Sequence, residues 1–331
     1  ALLSDAKLNN LHLDTTPTTY KRGGFKLAYF GNMGKNRLFD SAIEKLFTPE
    51  RVCAKQVFYW SKVADGSSPR IVSPYYGPGA VSRILMELRC LTWAQALLNL
   101  VYDVMDNTSI EGGLPVHLKC PNLRFVHAAL AIEQGKDKRD TKAFLIEEMI
   151  EGSFRKYLNN TSPIPSKFSA HDIENINCAD FLAFSQHVQY WKTEKLVFVA
   201  DYQGSDTLLT DPQIITHPTI GHGIFAAGNI STTWEDFEAK HKCSDWCRYY
   251  KLPTDYSNWA TGDSTNLKEA AAAGEPLFMT SSKSLSSRSK EGDEAKKDDS
   301  QGCSESIVLT TVAINDAQLD ADADSEDSLY K

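Results

Sequence analysis

The stretch Leu196–Gln213, LVFVADYQGSDTLLTDPQ, decides how the rest of this chain is read. Leu196 to Ala200 is a short apolar run of the kind that makes a strand buried on both faces. It turns polar at Asp201, where such a strand would end, and Gln203, Gly204 and Asp211 follow closely. Two carboxylates and an amide beside a strand terminus are an oxygen-rich set suited to magnesium, which takes carboxylates, waters and substrate phosphates. The same residues also serve as ordinary turn chemistry, because Asp and Gly are common where strands end.

Asp201-Tyr202-Gln203-Gly204 running to Thr210-Asp211-Pro212-Gln213 resembles the D-hydrophobic-Q-G…TDPQ signature of the alpha-kinases, a family of atypical protein kinases. Further matches extend from about Tyr20 to about Pro253. The resemblance implies an α+β, bilobal, atypical protein-kinase-like fold with an antiparallel N-lobe sheet and a zinc-stabilised C-lobe. It implies an ATP- and Mg2+-dependent serine/threonine kinase acting on a protein substrate, with structural Zn2+. The alternative is a catalytically impaired, nucleotide-binding pseudokinase scaffold, and a third reading is a metal-dependent hydrolase using Asp201, Asp211 and His187.

Composition bounds these readings. The chain has 331 residues, 42% hydrophobic and 24% charged, with a net charge of -8 that disfavours a general nucleic-acid binder. No uninterrupted apolar run approaches the ~20 residues of a membrane span, and no basic-then-apolar leader opens the sequence, so the expectation is a cytoplasmic protein without a membrane partner. Seven cysteines without an export pattern read as reduced thiols.

Three segments carry the N-lobe reading. Gly23-Gly24, before the alternating residues from Phe25 to Gly31, lets a backbone approach a phosphate closely. The pair also fits a plain β-turn; the family resemblance makes it the hairpin over the nucleotide phosphates. Arg51 to Trp60 reads as a strand with Lys55 among apolar neighbours, and the resemblance makes Lys55 the phosphate-binding lysine. A periodic helix from about Val81 to Met105 carries Glu87 near its start, the family's candidate partner for Lys55. Strands are expected over Asn122–Glu133 and Thr141–Ile150, the second leading into a hinge where Glu148 matches the family's adenine-reading glutamate. Helical spacing also marks Asn36 to Phe47.

In the second half, Ile173 to Thr193 reads as an amphipathic helix with His187 on its apolar stripe. His241, Cys243 and Cys247 form H-x-C-x3-C inside an expected helix from about Thr233 to Tyr250, with the two thiols on one face. Zinc takes four tetrahedral nitrogen and sulfur ligands, so one is missing. The resemblance supplies His187, ahead of His217 and His222. Gly223 to Ser231 resembles the family's glycine-shaped substrate loop, with Asn229 kept and Gly228 and Asn229 its candidate substrate-facing residues, but Ala226 and Ser231 stand where the family has glycine. Those two residues resist positive φ, which puts the loop's shape in question.

The expected domains are therefore an extended lead-in over 1–19, a kinase domain over 20–261 and a tail over 262–331 whose Ser-rich and acidic composition cannot support a core. The serines beside lysines in that tail make it a candidate for autophosphorylation or substrate recruitment. The sequence does not fix an oligomeric state. In this reading Asp201 orients or deprotonates the acceptor hydroxyl, while Gln203 and Asp211 bind Mg2+.

Overall fold

A computed structural model describes residues 11–13, 20–33, 51–61, 71–108, 110, 112–133, 138–220, 223–225 and 228–256. All of them belong to one compact unit. The expected helix at 36–47, Ala226, His222 and the tail lie outside these residues.

The N-terminal half is built on an antiparallel sheet. Its strands are β1 (Leu11–Leu13), β2 (Lys21–Arg22), β3 (Lys26–Met33), β4 (Arg51–Ser61), β5 (Ile71–Pro74), β7 (Ala128–Glu133) and β8 (Lys142–Glu148). The order is β1-β3-β4-β8-β7, with β2 added to β3 and β5 to β4. The segment 122–133 is two strands rather than one, because β6 (Arg124–Phe125) pairs in parallel with β14 (Leu208–Thr210), in a different sheet. That sheet continues through β13 (Gln203–Gly204) to β9 (Arg155–Lys156).

Helix α1 (Gly77–Asp106) starts one turn earlier than its periodicity suggests, with proline in its first turn, where a missing N–H costs nothing. It is the one helix among the described residues long and apolar enough to cross a membrane. The count of uninterrupted apolar residues misses it because polar residues punctuate the helix. Its Trp93, Ala94, Leu97, Leu98 and Val101 are wholly buried in the main core.

Helix α2 (Ile173–Lys192) crosses the same core, where Phe181 meets Trp246 edge-to-face at 5.2 Å. The strand β12 (Val197–Ala200) is buried at every position, as its continuous apolar run predicts, and pairs with β15 (Gln213–Thr216). The remaining pair is β10 (Leu158–Asn159) with β11 (Ser162–Pro165).

One expected helix is broken. The segment 233–250 forms α3 (Ser231–Glu235), α4 (Phe237–Lys240) and α5 (Asp245–Tyr249), with 241–244 outside any helix. His241 and Ser244 take extended backbone conformations. Cys243 and Cys247 are therefore not successive residues of one helical face; the chain turns to bring them together.

Candidate active site and metal centre

The register of the N-terminal sheet sets which charges share a face. Lys55 on β4 opposes Ala28 on β3, and Leu145 on β8. Side chains alternate along a strand, so Lys26, two residues before Ala28, and Glu147, two residues after Leu145, project to the same side as Lys55. Glu148, one residue on, projects to the other.

The observed contacts follow this rule. Lys55 Nζ lies 2.7 Å from Glu147 Oε2 and donates to Thr210 Oγ1 at 3.0 Å, while the Thr210 hydroxyl donates to Glu147 at 2.7 Å. Lys26 Nζ donates to Glu87 at 2.7 Å and is ion-paired with Asp211. Glu87 is thus the partner of Lys26 and not of Lys55, because β4 presents Lys55 to its neighbour β8. The carboxylate of Glu148 is held by Arg124, with one contact at 3.0 Å, and accepts the His127 N–H at 2.7 Å. The β8 carboxylate on the same face as Lys55 is Glu147.

Across from these groups stands the C-terminal motif. Lys55 Nζ is 3.8 Å from Asp211 Oδ1, so an ammonium from the first half of the chain and a carboxylate from the second meet directly. Burial opposes charge on Lys26 and Lys55, yet Asp211, with Glu87 and Glu147 respectively, outweighs it and holds both ammoniums above the ordinary lysine range. Burial likewise opposes charge on Asp211, but Lys26 and Lys55 outweigh it and hold this carboxyl well below the usual range.

Gln203 donates its amide to Asp201 Oδ2 at 3.2 Å and the Asp211 carbonyl at 3.4 Å, so its side-chain oxygen is the atom that could meet a cation. Lys156 Nζ is ion-paired with Asp201 Oδ1 at 2.6 Å. The cluster thus holds three ammoniums and four carboxylates, with hard oxygen donors of the type that suits magnesium.

Backbone shape fixes the motif. Asp201 and Asp211 both occupy the left-handed region, at φ 60° and 57°, a conformation that costs non-glycine residues roughly 1 kcal/mol or more. Gly204 has φ 155°, and a Cβ there would lie 1.9 Å from the Leu208 carbonyl oxygen, so only glycine closes the β13–β14 pairing. Gly23 and Gly24 form the β2–β3 turn, the Gly23 N–H donating to the Lys26 carbonyl at 2.8 Å. Lys26, Glu147, Lys156 and Thr210 are missed by the sequence reading. The alternation around Lys26 and in FLIEE was the available signal, but the choice of face needed the register.

The loop expected to meet substrate is anchored on both sides by its described residues. Phe225 is buried against Trp93, ring centroids 5.6 Å apart, and Arg89 donates to the Ile224 carbonyl at 3.1 Å. Asn229 Oδ1 accepts the Thr216 N–H at 3.0 Å, and Gly228 packs so closely on Gln213 that a Cβ would overlap its side chain. Ser231 is the first residue of α3 and is absent from the positive-φ positions, so the substitution there imposes no strain.

His187, His241, Cys243 and Cys247 converge, their ligand atoms all within 4.8 Å of one another. Cys243 Sγ to His187 Nδ1 and Cys247 Sγ to His241 Nε2 are both 3.7 Å, close to the edge of a tetrahedron with zinc–sulfur and zinc–nitrogen bonds of about 2.3 and 2.0 Å. His187 Nε2 faces the Pro253 carbonyl at 2.9 Å, which leaves Nδ1 as its ligand atom. Burial pulls His187 and His241 down to about 4 and about 3, and pushes Cys247 up to about 12, so the two rings are neutral and ready to ligate near neutral pH. The donor set fits zinc. It also removes His187 from any hydrolase triad with Asp201 and Asp211. His217 lies elsewhere, bonded to Thr219 and packed on Trp234.

This geometry agrees with what comparison finds: residues 83–247 match the model of the alpha-kinase family. That stretch belongs to the alpha-kinases. The chain is 36% identical over 115 residues to the human transient receptor potential cation channel subfamily M member 7, covering 33% of this chain and 6% of that protein. It is 36% identical over 107 residues to myosin heavy chain kinase B of Dictyostelium discoideum, covering 32% of this chain and 13% of the relative. The chain thus spans only a small part of the curated relatives it matches. Among solved structures, the alpha-kinase domain of myosin heavy chain kinase A in complex with AMPPCP shares the fold at TM-score 0.50 and 18% identity, covering 74% of this chain and 88% of that one. The antiparallel sheet and mixed α+β architecture expected from the alpha-kinase resemblance are therefore those of the molecule.

Proposed function

We propose that this chain is an ATP- and magnesium-dependent protein serine/threonine kinase. The observation that carries the reading is the meeting of Lys55 and Lys26 with Asp211, beside Gln203 and Asp201. Phosphoryl transfer asks a protein chiefly for positioning and charge neutralisation, and this cluster supplies both.

Lys55, held by Glu147, would neutralise the nucleotide's phosphates, with Lys26 on the same face as a second ammonium. The Gly23-Gly24 turn would cover the phosphates. Asp211 and Gln203 would hold Mg2+, which would help neutralise the charge of the nucleotide's phosphates. Asp201 would orient or deprotonate the acceptor hydroxyl, and Lys156, ion-paired with it, would stabilise charge on the transferred group. Glu148 lies at the hinge end of β8, where backbone groups could meet adenine while its carboxylate stays on Arg124. Gly228 and Asn229 shape the acceptor surface. His187, His241, Cys243 and Cys247 would hold a structural Zn2+ that ties the last helices to α2.

Transfer of labelled phosphate from ATP to a generic basic protein, compared between wild type, Lys55→Ala and Asp211→Ala, tests this. Label in wild type alone supports the kinase. Tight ATP binding without transfer in wild type points to the scaffold instead.

A further inference from the structure

The strand that ends at Asp201 has a hydrogen-bonding edge with no strand beside it. Among the described residues β12 pairs with β15 alone. Unpaired backbone groups at such depth are costly, so their partners must come from elsewhere. They come from one face of α2 and its end. The Thr193 hydroxyl accepts the Val197 N–H at 3.1 Å. Gln189 Oε1 accepts the Val199 N–H at 2.9 Å, and Gln186 Nε2 donates to the Val199 carbonyl at 2.8 Å. Residues 186, 189 and 193 follow helical spacing, while 197 and 199 follow strand spacing, so side-chain amides and a hydroxyl stand in for a missing neighbour strand.

Gln189 reaches further. Its Nε2 donates to the Tyr202 hydroxyl at 3.0 Å, so one fully buried amide grips the chain two residues before Asp201 and one residue after it. Between these grips Asp201 holds its left-handed backbone at φ 60°. Tyr202 is itself fixed, stacked on Phe125 at 6.1 Å, with its carbonyl accepting the Tyr157 N–H at 2.9 Å. The left-handed conformation costs an aspartate more than a glycine, so the contacts on either side of Asp201 help to hold it there.

We propose that Gln189, acting through Tyr202 and the Val199 amide, is a positioning residue for Asp201. This rests on the reading of Asp201 as the group that handles the acceptor hydroxyl. Gln189 touches no reacting atom; it sets the angle at which Asp201 presents its carboxylate.

The test compares wild type, Gln189→Met and Tyr202→Phe for kcat and KM with Mg-ATP and a basic protein acceptor, alongside hydrogen exchange of the segment 196–203. Tyr202→Phe removes one hydroxyl and keeps the ring, so it serves even where Gln189→Met folds poorly. The expected result for Tyr202→Phe is a fall in kcat of about tenfold or more, with KM for ATP within about twofold, as for a small misplacement of a catalytic group. An unchanged kcat, or a KM that rises in step with the fall, overturns the proposal. If wild type transfers no phosphate the kinase reading fails separately, and exchange decides the bracket. Faster exchange at the Val199 amide in Tyr202→Phe supports it, and unchanged exchange refutes it.

Discussion

Replacing Lys55 by methionine tests the physical core of the site, because it removes a cation from a place where its partner cannot reach water. The Lys55 side chain is 10% exposed and that of Glu147 is 3% exposed, with 2.7 Å between their charges. Methionine keeps the length of the stem and its packing, so the loss is mainly electrostatic. Breaking a buried pair by deleting one partner costs about 3–5 kcal/mol, since the remaining charge stays desolvated. Thr210 also loses a donor. For a folded unit of this size each kcal/mol lowers the melting temperature by roughly 2–4 °C, so Lys55→Met should melt roughly 10 °C below wild type. The double variant Lys55→Met/Glu147→Met removes both charges and should recover about half of that loss or more. Neither variant should transfer phosphate. Differential scanning calorimetry of wild type, Lys55→Met, Glu147→Met and the double variant decides the matter. A single variant as stable as wild type, or a double variant less stable than Lys55→Met alone, would refute the pairing of Lys55 with Glu147.

Three further outcomes follow from the same geometry. Gly204→Ala should destabilise the chain strongly and abolish transfer, because its Cβ meets the Leu208 carbonyl, whereas Gly24→Ala, with nothing within 4 Å, should stay within about 0.5 kcal/mol of wild type by urea unfolding. Asp211 has its folded-state carboxyl held below the ordinary range by Lys26 and Lys55 against the opposing effect of burial. Its ionised form therefore contributes stability fully present above about pH 4 and lost as pH falls towards the depressed value. The gap in urea midpoint between wild type and Asp211→Asn should be larger at pH 7 than at pH 3, and a constant gap would contradict the ion pairs. Elemental analysis should find one zinc per chain, and a strong chelator should lower the melting temperature by several degrees, as should Cys247→Ser; full stability after verified metal removal would show that the cluster needs no ion.

How much was legible in advance depended on distance along the chain. Asp201, Gln203 and Asp211 could be grouped from sequence because a strand end and a tight turn bring them together within one short stretch, with Gly204 as the only residue the turn accepts. His241, Cys243 and Cys247 were likewise near neighbours, although the reason they converge is a break between helices and not one helical face. Ser231 seemed a threat to the substrate loop only because its place at the start of a helix was not visible.

Short-range pattern determined the buried strand before Asp201 and the local sets Asp201, Gln203, Asp211 and His241, Cys243, Cys247, since each depends on chemistry packed into a short stretch. The alpha-kinase resemblance came instead from the match of the DYQG…TDPQ motif, and His187 came only from that resemblance. Tertiary structure decided who pairs with whom: Lys26 with Glu87, Lys55 with Glu147, Glu148 with Arg124, and Gln189 with the backbone around Asp201. Neighbouring residues on a strand face opposite ways, and where charge or apolar surface lies on both sides, only the register between distant strands selects the face.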